Sequence, residues 1–316
     1  MITLSEVPVI YVNNTVYVMK NGNDSTGQVQ RIDKPFLTIQ AAINAADAYF
    51  TSRNYNNRVL IIVESGYYLD TIILKPYIDF DLQNSFIELT NNDGLTDNGV
   101  DFGSSPNYAF TNIIYGNATI KGQIAGSWMK GVNTKLLLNC DSIFGDTYDG
   151  MIIENAYIRV FANRIYSNDT LRNYTQAVNP YGAGKCEIFN ADIFTPLGGI
   201  QSTIEFNQGT DFTNCGQLTL TNCRVSCRTD GDVELSCAIN TGSTSSGGYG
   251  ILKLYNTLIY SEFGGCICAS YNSNMKVYYY GLNNANSNSF PVATGVLTEY
   301  ISTLQVNSDV YFVPQY

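Results

Sequence analysis

The hydrophobic and polar positions of this chain repeat as apolar-x-apolar-x-Asn-x-x-apolar, most clearly in the stretch 252–259. The Asn positions of the copies are Asn84, Asn155, Asn190, Asn222 and Asn256. The last three steps between them are 35, 32 and 34 residues, and the first gap of 71 residues equals two such steps. Self-similarity at a nearly fixed period predicts a solenoid in which each copy forms one β-rich coil.

Weaker copies complete this scheme. Ala118, Ile120 and Gly122 fall near the middle of the long gap, and a last copy begins at Met275. The similar segment 136–143 falls about halfway round the period, so we assign it to a strand on another face of the coil. These assignments predict about six coils and a shaft on the order of 30 Å, at a strand spacing of about 4.8 Å.

The repeated Asn has a structural interpretation. In stacked parallel coils equivalent side chains form columns, so an Asn at a tight turn can bond to the Asn of the next coil. Asn also tolerates the left-handed backbone of such a turn. We therefore interpret the five Asn residues as a ladder that holds the coils together. Because a bare coil needs only about 20 to 25 residues, the excess is predicted to form loops at 91–107, 162–185 and 230–250.

One short amphipathic helix precedes the repeats. Ile39, Ala42, Ile43 and Ala46 recur at helical spacing, and Thr38 is placed to act as the N-cap. We expect this helix to cover the open apolar end of the solenoid, whose strand edges would otherwise recruit other chains.

Three ordered motifs give the chain a family resemblance. They are Asn21-Gly22-Asn23-Asp24, Pro35-Phe36-x-Thr38-Ile39-Gln40-x-Ala42-Ile43 and Val63-Glu64-Ser65-Gly66-Tyr67-Tyr68. This combination resembles the N-terminal portion of the pectin-lyase-like, right-handed parallel β-helix proteins. The close resemblance covers about residues 16 to 74, and a weaker one extends to about residue 282. It implies an all-β, single-chain right-handed parallel β-helix with one short N-terminal capping helix and protruding loops.

The same features predict the organisation of the chain. We expect a strand arm and capping helix in residues 1–57, the parallel β-helix in 58–289, and a C-terminal cap or subunit-contact segment in 290–316. In character the chain is closest to the β-helical tail-spike and fibre proteins of bacteriophages.

Composition excludes several functions. The chain has no histidine, which removes Ser-His-Asp and Cys-His nucleophilic systems and every His-ligated metal site. Its net charge is −10 and it has no basic run, so a nucleic-acid partner is not expected. We also expect no membrane insertion and no cleavable export signal, because no apolar run reaches bilayer length and no early segment has a signal-peptide pattern.

The carboxylates give only weak candidate sites. The groups considered are Asp79 with Asp81, Asp141 with Asp146 and Asp149, and Asp230 with Asp232 and Glu234. The first pair alternates with apolar residues, so we expect it on a charged, solvent-exposed strand face. The second group is spread over a loop and is a poor catalytic set. The third is a weak calcium candidate beside a Gly turn. No catalytic residue, metal or cofactor is predicted.

The eight cysteines are expected to be reduced and mostly buried, because a chain of 316 residues can bury a core without disulfides. Cys186 and Cys227 stand at apolar repeat positions. The spacing of Cys215, Cys223, Cys227 and Cys237 matches no zinc-ribbon or zinc-finger pattern, so stacked, buried thiols are the better interpretation.

Aromatic residues suggest a recognition surface. Tyr offers an apolar ring face and a hydroxyl, which suits it to sugar binding. Tyr166, Arg172, Tyr174 and Tyr181 fall in or beside one predicted loop, and we take them as candidate binding residues.

These observations leave three functional hypotheses. The first is a viral fibre, spike or capsid-associated protein, a homotrimer that contacts other virion proteins and a host cell-surface glycan, located in the virion after synthesis in the host cytoplasm. The second is a polysaccharide lyase or hydrolase, which would need two carboxylates converging in a groove or a metal-and-base site. The third is a non-viral surface adhesin.

Overall fold

A computed structural model describes residues 14–90, 95–96, 110–122, 134–145, 150–154, 156–167, 176–195, 203–227, 237–241, 248–261, 265–269, 274–280, 284–287, 301–303 and 309–314. These residues form parallel β-sheets together with one α-helix. The all-β prediction with a single helix is therefore confirmed at this level.

The first sheet has eleven strands. In their order across the sheet they are β1 (Thr15–Val18), β2 (Val59–Val63), β5 (Ile78–Asp81), β8 (Asn112–Tyr115), β10 (Lys135–Asn139), β13 (Tyr157–Phe161), β16 (Lys185–Phe189), β19 (Gly216–Thr221), β22 (Tyr249–Tyr255), β25 (Asn274–Tyr280) and β28 (Asp309–Pro314). Ten intervals of about 4.8 Å give this sheet a length of about 48 Å.

Two further sheets and a short strand pair complete the structure. The second sheet contains β3 (Tyr67–Asp70), β6 (Phe86–Leu89), β9 (Thr119–Lys121), β11 (Ser142–Gly145), β14 (Arg164–Ser167), β17 (Asp192–Thr195), β20 (Arg224–Cys227), β23 (Leu258–Ser261) and β26 (Asn284–Ser287). The third contains β12 (Met151–Ile153), β15 (Val178–Pro180), β18 (Ile204–Phe206), β21 (Cys237–Thr241), β24 (Gly265–Ala269) and β27 (Ile301–Thr303). The short pair is β4 (Ile72–Ile73) with β7 (Leu95–Thr96).

From β10 onward the chain visits the first, second and third sheets in turn and then returns to the first. Each strand pairs in parallel with the strand one round later, so equivalent residues stack in columns. In the first sheet Ile188 lies beside Leu220, and Leu220 beside Leu254, all three fully buried. Full burial of such a side chain contributes about 1.5–3 kcal/mol, and these columns form one continuous core.

The predicted uniform coil length is wrong. In register, the first-sheet column runs through Phe80, Ile114, Leu138, Val160, Ile188, Leu220, Leu254 and Tyr279. Between β2 and β28 its steps range from 19 residues, Ile61 to Phe80, to 35 residues, Tyr279 to Pro314. The Asn-to-Asn steps near the end of the chain therefore do not extend to its middle.

Three segments change place as a result. The segment 136–143 lies in the same first- and second-sheet columns as the Asn-centred copies, not on another face. Ala118 precedes a second-sheet strand that contains Ile120, and Met151 and Ile153 lie in the third sheet. Alternating apolar residues occur on all three sheets, so the sequence pattern alone does not identify the sheet.

The helix α1 (Ile39–Tyr49) is confirmed, with the predicted Thr38 as N-cap. Its buried residues are the predicted Ile39, Ala42, Ile43 and Ala46, and they join the core beside β1, β2 and β4. Buried Asp70 from β3 accepts the Ile39 and Gln40 amides at 2.5 and 3.2 Å. A carboxylate at this end satisfies amides that have no partner within the helix and complements its dipole.

The expectation that Asp79 lies on an exposed face is wrong. Strand alternation does direct Asp79 away from the core, but the residue is fully buried. Arg58, itself 4% exposed, donates to both of its carboxylate oxygens. An outer cluster formed by Phe110, Ile113 and Leu137 packs on this side of the first sheet. A face directed away from one core is therefore covered by a second, smaller one.

The chain ends also contribute to these sheets. β1, predicted as part of an N-terminal arm, begins the first sheet by pairing with β2. β27 and β28, in the segment 290–316, extend the third and first sheets. Among the described residues, no helix has the length and apolar character needed to cross a membrane.

Candidate functional site

The corner where the chain passes from the first sheet to the second is the most distinctive part of the structure. The position two residues before each second-sheet strand is taken in turn by Asn84, Asn117, Cys140, Ala162, Asn190, Asn222 and Asn256. Every Asn in this series is exposed, and the residue after each one is buried. Four of the five predicted ladder residues thus stand at this corner, together with Asn117, which the sequence reasoning missed.

Asn side chains of neighbouring rounds bond at this corner. Asn222 Nδ2 donates to Asn190 Oδ1 at 3.3 Å, and Asn117 Nδ2 donates to Asn84 Oδ1 at 3.3 Å. The φ angles of Asn190, Asn222 and Asn256 are 59°, 53° and 48°, in the left-handed region that Asn tolerates.

Asn155 lies outside the described residues. Its neighbouring strands β12 and β13 belong to the third and first sheets, so that part of the chain is a different corner. The predicted equivalence of Asn155 with the other four positions is therefore wrong.

Two rounds interrupt the Asn series. Cys140 and Ala162, both described, lack the positive φ of Asn190 and are buried. The residues that follow them, Asp141 and Asn163, direct polar side chains to the surface instead. Because Cys and Ala avoid the left-handed conformation, the turn in these two rounds presents the next residue outward, and small side chains remain at the base of the corner.

A groove lies at this interruption and encloses about 430 Å³. Asn117 and Asn190 stand toward its two ends, and Cys140 and Ala162 lie between them. The described residues that line it are Tyr115, Gly116, Asn117, Asn139, Cys140, Asp141, Phe161, Ala162, Asn163, Phe189 and Asn190. The volume is within the range of about 300–1,000 Å³ typical of small-molecule pockets.

One side of the groove is aromatic. Tyr115, Phe161 and Phe189 occupy one outward column of the first sheet. The Phe161 and Phe189 rings stack with centroids 4.7 Å apart and an interplanar angle of 13°. The outer cluster that contains Ile113 packs against Tyr115 and Phe161 from behind. These rings are thus held in place by packing and are half-buried.

The opposite side carries the polar groups. Asp141 accepts from Ser142 Oγ at 2.7 Å and from Asn163 Nδ2 at 2.9 Å. These two hydrogen bonds, aided by the charge of Arg164, lower the pKa of Asp141. Asp141 is therefore ionised at neutral pH, and each of its oxygens can accept a further hydrogen bond.

Two hydroxyl and thiol groups of the groove remain protonated. Burial raises the pKa of Tyr115 to about 12, and the charges of Asp81 and Asp79 act in the same direction. Burial likewise raises the pKa of Cys140 to about 12. The Tyr115 hydroxyl can thus donate a hydrogen bond, whereas Cys140 is a poor nucleophile at neutral pH because the thiolate is the reactive form.

The predicted binding residues do not form one surface. Tyr166 lies on the second sheet, stacked between Phe144 and Phe194 at centroid distances of 5.0 and 4.9 Å. Tyr181 follows a third-sheet strand and bridges to Asn207. Arg172 and Tyr174 lie outside the described residues. Neither Tyr166 nor Tyr181 lines the groove.

The weak calcium candidates Asp230, Asp232 and Glu234 lie outside the described residues, as do Asp146 and Asp149. Within the described part of the chain, no group of three or more His, Cys, Asp or Glu side chains is placed to hold a metal ion.

The prediction of buried, reduced cysteines is confirmed for six free thiols. They are Cys140, Cys186, Cys215, Cys223, Cys227 and Cys266.

The groove had a signal in the sequence. The Asn series breaks at Cys140 and Ala162, and polar residues follow both. Once the rounds are aligned by strand register, this break is the single place where the corner pattern reverses among the described rounds from β5 to β23. The uniform period concealed it, because it removed the segment 136–143 from the column.

Comparison of the chain with protein-family models, curated proteins and solved structures found no match.

Proposed function

We propose that the chain is a right-handed parallel β-helix with a short N-terminal capping helix and loops at the predicted insertions. Support comes from the ordered passage through three parallel sheets and from α1, which packs its apolar face on β1, β2 and β4. The motifs between residues 16 and 74 that resemble pectin-lyase-like proteins favour the same arrangement.

We further propose that this β-helix is a structural appendage of a virus particle, a fibre or spike that recognises a glycan on the host cell. The groove at the corner of the first and second sheets carries this proposal. Phe161 and Phe189 offer apolar ring faces, on which the C–H faces of a sugar can pack. Asn117, Asn163 and Asn190 offer amide groups that both donate and accept hydrogen bonds, as sugar hydroxyls do.

The electrostatics of the groove favour binding over hydrolysis. A glycosidase needs one carboxylic acid held protonated near neutral pH beside an ionised carboxylate. Asp141 has the opposite tendency, because its hydrogen bonds from Ser142 and Asn163 lower its pKa. The groove therefore supports the recognition hypothesis better than the hydrolase alternative.

Glycan binding by groove variants tests this proposal. The protein would be applied to an array of bacterial and eukaryotic surface glycans, and hits measured by calorimetry. Phe161→Ala should weaken binding by about tenfold or more, since loss of one aromatic–sugar contact removes on the order of 1–2 kcal/mol. Phe144→Ala is the matched control, because Phe144 is also a half-buried stacked ring but lies on the second sheet outside the groove. Equal effects of the two variants, or no glycan bound, would contradict the proposal.

The assembly part of the proposal has a separate test. A homotrimer is expected for a fibre or spike, because β-helices associate side by side through long faces. Sedimentation of the purified chain at micromolar concentration should give three times the mass of 34.9 kDa. A strictly monomeric chain would remove the trimer. Detection of the chain by mass spectrometry in purified virus particles would distinguish a virion protein from a cellular adhesin.

A further inference from the structure

We propose that the groove selects uncharged sugar units, including N-acylated ones, and discriminates against anionic sugars such as uronic acids. This inference rests on the proposed glycan recognition and concerns the chemical class of the ligand. The argument depends on which charges face the groove and on which are already paired.

Asp141 is the one formal charge among the described residues that line the groove. Its carboxylate is half-exposed at the surface, and its hydrogen bonds from Ser142 and Asn163 keep it ionised. A sugar carboxylate placed among the amides would therefore lie near a fixed negative charge. Like charges a few ångströms apart repel, and at the edge of a protein the repulsion is only partly screened by water and salt.

The nearest cations do not reverse this field. Arg164 is exposed beside Asp141 and lowers the pKa of that carboxyl, but it does not line the groove. Arg159, in the neighbouring outward column of the first sheet, is paired with Glu187 at 2.8 Å. Since a cation already paired with a carboxylate gives little net attraction, the field at the base of the groove is set mainly by Asp141.

The remaining polar lining suits neutral sugars. Four amides, from Asn117, Asn139, Asn163 and Asn190, line the groove beside the aromatic wall. An amide offers one acceptor oxygen and two donor hydrogens, which match both hydroxyl groups and the amide of an N-acylated sugar. An ionised carboxylate such as Asp141 accepts from sugar hydroxyls but offers no donor to a sugar carboxylate. The groove is therefore complementary to hydroxyl-rich, uncharged rings.

Calorimetry with matched oligosaccharides tests the inference. The probes are tetramers of N-acetylglucosamine, of glucose and of galacturonic acid, titrated into the full chain at pH 7. We expect at least one neutral tetramer to bind about tenfold or more tightly than the galacturonic acid tetramer, the factor expected for one unscreened like-charge contact.

Two charge variants and a control localise the effect. Asp141→Asn should bring the galacturonic acid tetramer to within about threefold of the neutral probe, and Asn163→Asp should widen the difference. Asp192→Asn is the matched control, because Asp192 is an exposed carboxylate at the edge of the second sheet that does not line the groove. It should leave the ratio unchanged. Circular dichroism would verify that each variant is folded.

The pH dependence follows from the lowered pKa of Asp141. A carboxylate whose pKa is depressed stays ionised above its ordinary value of about 3.9, so the discrimination should persist from pH 7 to pH 5. It should not decline near pH 6, where a carboxylate of raised pKa would begin to protonate.

The outcomes separate this inference from the proposed function. If the galacturonic acid tetramer binds as tightly as the neutral probes and Phe161→Ala abolishes its binding, the groove is a glycan site and the charge selection is wrong. If Asp192→Asn changes the ratio as much as Asp141→Asn, general protein charge explains it and the inference is overturned. If none of the probes and none of the arrayed glycans binds, both proposals fail.

Discussion

Removal of the Asp79 carboxylate should be among the most destabilising single changes in the described part of the chain. Asp79 Oδ2 accepts from Arg58 Nε at 2.5 Å, and its Oδ1 accepts from the Ile113 amide at 2.7 Å and from Arg58 Nη2. Arg58 also donates to the carbonyls of Phe110 and Thr111 at 2.9 and 3.2 Å. The pair thus joins the segment before β2 to β5 and β8.

The magnitude follows from burial. Asp79→Ala leaves the guanidinium of Arg58, only 4% exposed, without its counter-charge, and removes the acceptor of the Ile113 amide. Breaking a buried pair by removal of one partner costs about 3–5 kcal/mol. We take about 4 kcal/mol, which for a chain of 316 residues corresponds to a decrease in melting temperature of about 6 °C.

Thermal and urea unfolding, followed by circular dichroism, measure this loss. Arg31–Asp33 provides the matched control, because that pair lies at the surface with side chains 49% and 59% exposed. Asp33→Ala should leave the transition unchanged. In the double variant Arg58→Leu with Asp79→Leu, no buried charge is left unpaired, so it should be more stable than Asp79→Ala.

The reasoning would be refuted if Asp79→Ala lost less than about 1 kcal/mol, the value typical of an exposed pair. It would also fail if the double variant were less stable than both single variants, since the cost would then come from lost packing of the outer cluster instead of an unpaired charge.

Three further predictions concern the corner, the second sheet and the thiols. Asn222→Ala should destabilise by about 1–2 kcal/mol, because Ala is strained at a φ of 53°, whereas Asn222→Gly should cost less; the reverse order in urea unfolding would contradict the role of the left-handed turn. Tyr166→Ala should destabilise by about 1–3 kcal/mol through loss of stacking on Phe144 and Phe194 while leaving glycan affinity unchanged, so weakened glycan binding in calorimetry would return Tyr166 to the site. Burial raises the pKa of Cys215 and of Cys223 to about 11, so iodoacetamide at pH 8 should label both only after unfolding; labelling of the native protein, located by peptide mass spectrometry, would show that they are accessible.

Local patterns determined much of the fold. The alternation of apolar residues around Ile188 and Leu220 fixes which side of each strand enters the core, because successive side chains point to opposite faces. The helical spacing of Ile39 and Ala42 and the cap at Thr38 likewise suffice to define α1. These features depend on neighbours in the chain, so the sequence contains them directly.

The tertiary structure alone decided which rounds are equivalent and where the groove lies. Strand register, which is a contact between residues 19 to 35 positions apart, places the segment 136–143 beside the Asn corner. Only that alignment brings Asp141, Asn163 and the Phe161 ring to one groove, and only packing across the outer face buries Asp79. The physical reason is that strands of equal pattern but unequal spacing can stack in more than one register, and side-chain packing between rounds selects one.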